Sequence, residues 1–188
     1  MKNNLQTVAA LLRLQARRMT VPEARSALEE AERRVGSIAL VHETLSQSID
    51  ESVDFDDIVD RLRSALADVG STGAEVTTTR VGSFGTLPGE VATTLAMVLT
   101  ELLQNAAEHG FSGGAGHVEV VAERTPQRVA MVVVDDGVGL PAGFDAATST
   151  SLGLSIVRTL VESELGGRLR VAPGEGGGSR FEVTFPLS

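Results

Sequence analysis

Thr100-Glu-Leu-Leu-Gln-Asn-Ala-Ala-Glu-His-Gly110 decides the fold, because it sets a polar border inside an otherwise apolar helical run. Pro88 is a good first-turn residue and Gly110 can end a helix, which predicts one long helix between them. At about 100° per residue, Val91, Leu95, Val98, Leu99, Leu102, Leu103 and Ala106 form a broad apolar arc. Glu101, Asn105 and Glu108 fall one turn apart along its edge. Taken alone they are the border of an amphipathic helix. The flanking sequence decides whether that border is a site.

Downstream, His117 to Glu123 and Arg128 to Val134 read as two strands joined near Thr125-Pro126. The second runs into Val134-Asp-Asp-Gly-Val-Gly-Leu-Pro141. A strand delivers Asp135 to its end, and glycines let the backbone turn sharply or approach a ligand. Asp135 is acceptor-only, suited to an exocyclic amine, although Asp-Gly is also ordinary turn chemistry. Thr148-Ser-Thr-Ser-Leu-Gly-Leu-Ser155 then leads into a helix over Ser155 to Leu165. Small residues and Gly153 at a helix start expose N–H groups that suit phosphate oxygens, or form a simple cap. Arg168 to Val171 and Ser179 to Phe185 read as strands around Gly174-Glu-Gly-Gly-Gly178, a hairpin turn or a third ligand loop. Pro141 to Thr150 is small, polar and aperiodic, the composition of a flap.

Upstream, Asp54 can cap a helix with Ile58, Leu62 and Leu66 on one face, closed by Gly70 to Gly73. Glu75 to Val81 alternates and is β-branched, a strand. This order of helices and strands predicts a two-layer α/β sandwich, a mixed sheet with helices on one face. Ahead of it, Leu5, Val8, Leu12 and Met19 recur at helical spacing. Thr20 and Glu23 resemble a capping box for a second helix, whose Ala24, Leu28, Ala31, Val35, Ile38, His42 and Leu45 make a heptad-like seam. The two helices predict an antiparallel hairpin that pairs with a second copy as a four-helix bundle. The expected class is therefore α+β, with a helical hairpin over 1–49 and the sandwich over 50–188.

Composition limits the functions available. The chain has 188 residues, 42% of them hydrophobic, with six Phe and no Tyr, Trp or Cys. Thiolate chemistry and disulfides are excluded. A net charge of −9 argues against non-specific nucleic-acid binding. No apolar run approaches the roughly 18 residues of a membrane span, and the start does not read as a signal peptide, so a cytoplasmic protein is expected.

In their order, these motifs resemble the ATP-binding domain shared by histidine kinases, gyrase, Hsp90 and MutL. Glu101 to His109 is similar to the family's N box, Asp135 to Gly139 to its first glycine box, Leu152-Gly-Leu154 to the second and Gly177 to Phe181 to the third. The resemblance implies that Asn105 ligates Mg²⁺ and that Glu101 is the general base or polarising group beside the γ-phosphate. It implies that Asp135 accepts from the adenine amine, with Gly137 and Gly139 allowing close approach. Leu152, Gly153 and Leu154 would face the phosphates, Glu108 and His109 would line the pocket, and Ser179 would bond near the adenine.

Lys2-Asn-Asn-Leu-Gln6, Leu11 to Gln15 and Arg34 to Glu43 resemble the dimerisation helices of a sensor histidine kinase branch common in actinobacteria. That branch implies a homodimer and a response regulator partner, often with an antiterminator output. In the branch pattern the phosphoacceptor His lies two residues ahead of Met1, and none of His42, His109 and His117 takes its place. The expectation is a chain that binds ATP and Mg²⁺ without phosphorylating itself at that site. A non-catalytic dimeric nucleotide-binding scaffold, or an anti-sigma-type serine kinase, are the competing readings.

Overall fold

The structure is a computed structural model that describes residues 2–45, 52–69, 76–111, 114–145 and 152–187. It forms two compact units, Met1–Glu51 and Ser52–Ser188.

The first unit is a hairpin of α1 (Lys2–Arg18) and α2 (Pro22–Leu45). Leu5, Ala9, Leu12 and Ala16 turn inward on α1, and Ala9 and Ala16 are small enough to bring the axes close. On α2 the seam residues Ala24, Leu28, Ala31, Val35 and Ile38 are all half-buried. Arg13 of α1 pairs with Glu32 of α2. Two expectations change. Val8 and Met19 stand 43% and 37% exposed, off the packing face. The Thr20–Glu23 capping box is not made among the described residues: Pro22 itself opens the helix, a position where its missing N–H costs nothing. The side chain of His42 lies outside the described set.

The second unit is built on a five-stranded sheet of order β2-β4-β5-β7-β6, with β2 (Val76–Val81), β4 (Gly116–Thr125), β5 (Arg128–Asp135), β6 (Arg168–Pro173) and β7 (Ser179–Pro186). The β2–β4 pair is parallel and the other pairs antiparallel, so the sheet is mixed. Val118, Val120 and Ala122 of β4 and Phe181, Val183 and Phe185 of β7 are buried, each at alternate positions on one face. Against that face lie α3 (Phe55–Val69), α4 (Gly89–Asn105) and α5 (Leu152–Thr159). Both α4 and α5 end in a wide π-helical turn, Ala106–Gly110 and Leu160–Glu164. The central strand β5 is buried continuously from Val129 to Val133, as its unbroken apolar run requires.

A short ribbon that sequence pattern does not announce pairs β1 (Ser52–Asp54) with β3 (Thr86–Pro88). At three residues each, neither strand is long enough to show alternation. Its core is Phe55 edge-on to Phe84, ring centroids 5.2 Å apart, with Leu87 fully buried beside them. Asp54 caps α3 by accepting the Asp56 N–H at 3.0 Å. Residues 70–75, which contain the expected end of that helix, lie outside the described residues, as do 46–51 and 146–151.

Candidate functional site

Glu101 and Asn105 sit one turn apart on α4. Glu101 is only 6% exposed, so it is no solvated border but a carboxylate drawn into the domain. The Asn105 amide is the more unusual group. Its Nδ2 is buried without a hydrogen-bond partner, and no described residue bonds the other end of the amide. Buried amides are almost always satisfied, so an unfilled one at a helix end points to a missing neighbour. Glu108, in the π-helical turn that follows, is exposed. The His109 side chain lies outside the described set.

That wide turn carries Gly110 to the end of β5, where Asp135 is buried at 5% exposure. One carboxylate oxygen of Asp135 accepts the Gly137 N–H at 3.0 Å, which leaves the second oxygen for another donor. The next residue, Asp136, anchors the neighbouring strand by accepting the His117 N–H at 2.7 Å. On the other side, Val134 pairs with Arg180, so the same register brings Ser179 opposite Asp135. Ser179 is also buried, at 7% exposure.

Three separate stretches close around this strand end through backbone alone. Val138 N–H donates to the Gly110 carbonyl at 2.9 Å, and Gly178 N–H donates to the Gly137 carbonyl at 3.0 Å. A Cβ at Gly137 would overlap the Gly110 carbonyl, and one at Gly178 would overlap the Asp135 carbonyl. Gly178 also has φ +63°, a conformation that side chains disfavour. The glycines at these two positions are therefore required by contact. The Gly174 N–H bonds the Gly178 carbonyl at 3.1 Å, so the third glycine stretch is both a hairpin turn and a wall of the site.

Leu152-Gly153-Leu154 form the first turn of α5, with Gly153 and Leu154 buried and the Leu152 side chain outside the described set. The N–H groups of a first helical turn have no intrahelical acceptor. The structure thus brings Gly110, Asp135, Gly137, Gly139 and Ser179 together at one end of the sheet. Gly110 entered the sequence reading only as a helix terminator, and its carbonyl is the wall residue that reading missed. Nothing in a single Gly betrays that its carbonyl will be used.

A profile for the family described as Histidine kinase-, DNA gyrase B-, and HSP90-like ATPase matches residues 90–188, and one described as Histidine kinase matches residues 1–69. Sensor histidine kinase PdtaS of Mycobacterium tuberculosis strain H37Rv is 50% identical over 188 residues, covering 99% of this chain. The chain spans 38% of the length of that relative. Blue-light-activated histidine kinase 2 of Erythrobacter litoralis is 27% identical, covering all of this chain and 55% of its own. Among solved structures, the histidine kinase domain of Erythrobacter litoralis EL346 blue-light activated histidine kinase superposes with a TM-score of 0.73 at 26% identity. That match covers 100% of this chain and 87% of the other.

The fold is that of a two-layer α/β sandwich, with a helical hairpin earlier in the chain. The chain belongs to the histidine kinase-, DNA gyrase B- and HSP90-like ATPase family, and its matched segments are histidine kinase dimerisation and ATPase domains.

Proposed function

We propose that this chain is the Mg²⁺–ATP-binding and dimerising core of a cytoplasmic enzyme that phosphorylates histidine and passes the phosphoryl group to the Asp of a response regulator, of antiterminator output type. The dimerising unit is residues 1–49 and the catalytic unit residues 50–188. The observation that carries the site reading is the half-buried Asn105, whose buried, unpartnered Nδ2 calls for an acceptor such as a phosphate oxygen, with its Oδ1 the end left for a cation. An amide oxygen is a hard ligand of the kind Mg²⁺ takes, and Mg²⁺ keeps few protein ligands when phosphates and water supply the rest. Among the described residues no group of three or more His, Asp or Glu side chains forms a metal cage, which fits an ion that arrives with its nucleotide. Bound Mg²⁺ would supply charge neutralisation on the phosphates.

The chain's own residues do the remaining work. Glu101, buried one turn from Asn105, accepts or polarises the proton of the attacking nucleophile beside the γ-phosphate. Asp135 accepts from the adenine amine through the oxygen that Gly137 leaves open, and Ser179 bonds alongside it. Gly137 and Gly139 let the backbone lie close to the ring. Leu152, Gly153 and Leu154 face the phosphates with first-turn N–H groups, which attract negative charge. Glu108 and His109 line the mouth of the pocket.

Calorimetry with ATP and Mg²⁺ tests this directly. Asp135→Ala is expected to weaken ATP binding by roughly 10- to 150-fold, the range of a hydrogen bond to a charged group. Asn105→Ala is expected to lose the Mg²⁺ dependence of binding. Glu101→Gln is expected to keep both ATP binding and its Mg²⁺ dependence, because the role proposed for Glu101 is in phosphoryl transfer and not in binding. Equal affinity in wild type and Asp135→Ala would refute the site.

A further inference from the structure

The opposite end of the sheet from Asp135 carries a second feature that the ATP site does not use. A cleft of about 300 Å³ opens there, lined by Arg128, Gly166, Gly167, Arg168, Thr184 and Pro186 among others. Arg128 begins β5 and Asp135 ends it, so the two sites lie roughly 23 Å apart along the strand. Gly167 has no room for a side chain: its Cβ would come within 2.9 Å of the Phe185 Cβ, and its N–H bonds the Val161 carbonyl at 2.8 Å. The cleft is thus bounded by backbone held in place.

Its charge is the second observation. Register sets Arg128 opposite Pro186, Arg168 opposite Thr184 and Arg170 opposite Glu182. By alternation, all three arginines lie on the sheet face away from the helices. Arg128, Arg168 and Arg170 are exposed, and among the described residues none makes an ion pair or side-chain hydrogen bond. Glu182 is instead paired with Arg180 at 3.4 Å. Three unmatched guanidinium groups on one rim are notable in a chain of net charge −9.

The third observation is that β6, which carries two of them, is an edge strand of the sheet, with no described strand on its outer side. Arg168 and Arg170 stand two residues apart, roughly 7 Å, which is also the spacing of same-face side chains along any extended strand.

We propose that the free edge of β6 docks an extended acidic polypeptide segment. Alternate carboxylates of the segment pair with Arg168 and Arg170, and one end turns into the cleft beside Arg168. The added strand hydrogen-bonds to the β6 edge, and its acidic side chains lie directly opposite the arginines. A second copy of this strand is disfavoured because it brings the same positive charges. A nucleic acid is disfavoured because single-strand binding needs stacking aromatics, and Phe185 at the cleft is 2% exposed.

The test uses the full chain and a fluorescein-labelled peptide of alternating valine and glutamate, followed by anisotropy, with amide shifts read by ¹⁵N NMR. Saturable binding, shifts confined to β6 and the cleft, and a loss of tenfold or more in Arg168→Glu and Arg170→Glu are expected. The glutamine counterpart of the peptide should bind at least tenfold more weakly. Thermal melts of both variants check that they remain folded, and the assay needs no nucleotide, so failure here is distinct from failure of the ATP site. No binding at about 1 mM peptide overturns the proposal. So does binding that the arginine variants leave unchanged, or pyrophosphate or a DNA oligonucleotide binding the edge in preference to the peptide.

Discussion

At the scale of single residues, the site is held by what its glycines lack. Gly178 has a positive φ and no space for a Cβ beside the Asp135 carbonyl, whereas Gly176, two residues earlier at φ +86°, has open space around it. The pair separates two costs. Gly176→Ala adds backbone strain alone, about 1 kcal/mol. Gly178→Ala adds strain and an overlap with backbone that cannot swing aside, about 3 kcal/mol or more. Thermal melts by circular dichroism are expected to show a midpoint lower by roughly 5–10 °C for Gly178→Ala and by a few degrees for Gly176→Ala. Equal losses would mean that the close approach is not the constraint.

Among the elements, α3 is clasped to the sheet by a charged cluster. Arg80 of β2 grips Asp60 with two hydrogen bonds, at 3.1 and 2.9 Å, and Arg63 reaches the same carboxylate at 2.8 Å. Asp56 accepts the Phe84 N–H at 2.9 Å, tying the ribbon loop to the same helix. The Arg80 hydrogen bonds, chiefly, hold the Asp60 carboxyl below its ordinary value. A carboxyl whose folded value is depressed stabilises the fold above its unfolded value, about 3.9, and loses that contribution as pH falls through the lower folded value. Asp60 is 47% exposed, so solvent screens the pair and its worth is about 1 kcal/mol or less. The stability gap between wild type and Asp60→Asn, from urea unfolding, should be full at pH 6 and shrink as the medium is acidified below about pH 4. A gap independent of pH would assign the effect to something other than charge.

The same elements show what a sequence can and cannot reveal. Four of the main strands and the long helices are legible because their exposure alternates or recurs over enough residues to show a period, and β5 because its apolar run is unbroken. Val118, Val120 and Ala122, or Phe181, Val183 and Phe185, announce themselves. The β1–β3 ribbon did not, since three residues carry no period. On α1 the period was legible but its phase was not. Size favours Val8 as an inward residue, but close helix packing selects the small Ala9 and Ala16 instead. In the candidate site, residue type suggests Asp135 as an acceptor, whereas Glu101 and Asn105 read alone as a helix border and stand out only through the family resemblance. The meeting of Gly110, Gly137 and Gly178 depends on tertiary contact between stretches of unremarkable local chemistry.

For the whole molecule, α1 has two faces. Leu5, Ala9, Leu12 and Ala16 meet α2, while Val8, Leu11 and Leu14 stand 43%, 54% and 53% exposed as a second apolar stripe. A hairpin cannot cover that stripe itself, which supports the proposed homodimer. Leu11→Glu is expected to shift the chain to monomer in sedimentation velocity while leaving the melt of the ATPase unit unchanged. A variant that remains dimeric would move the interface off this stripe. Among the described residues no helix is long and apolar enough to cross a membrane.

The backbone junction of Gly110, Gly137 and Gly178 has a mechanical consequence. Ordinary packed elements are separated by side chains, which hop between rotamers and absorb displacement like soft washers. Here peptide planes abut at 2.9 and 3.0 Å with nothing between them. Such a joint has almost no compliance. The end of the Asn105 helix, the strand that carries Asp135 and the β6–β7 turn are therefore coupled as one stiff body, and a load applied to any one of them is borne by all three.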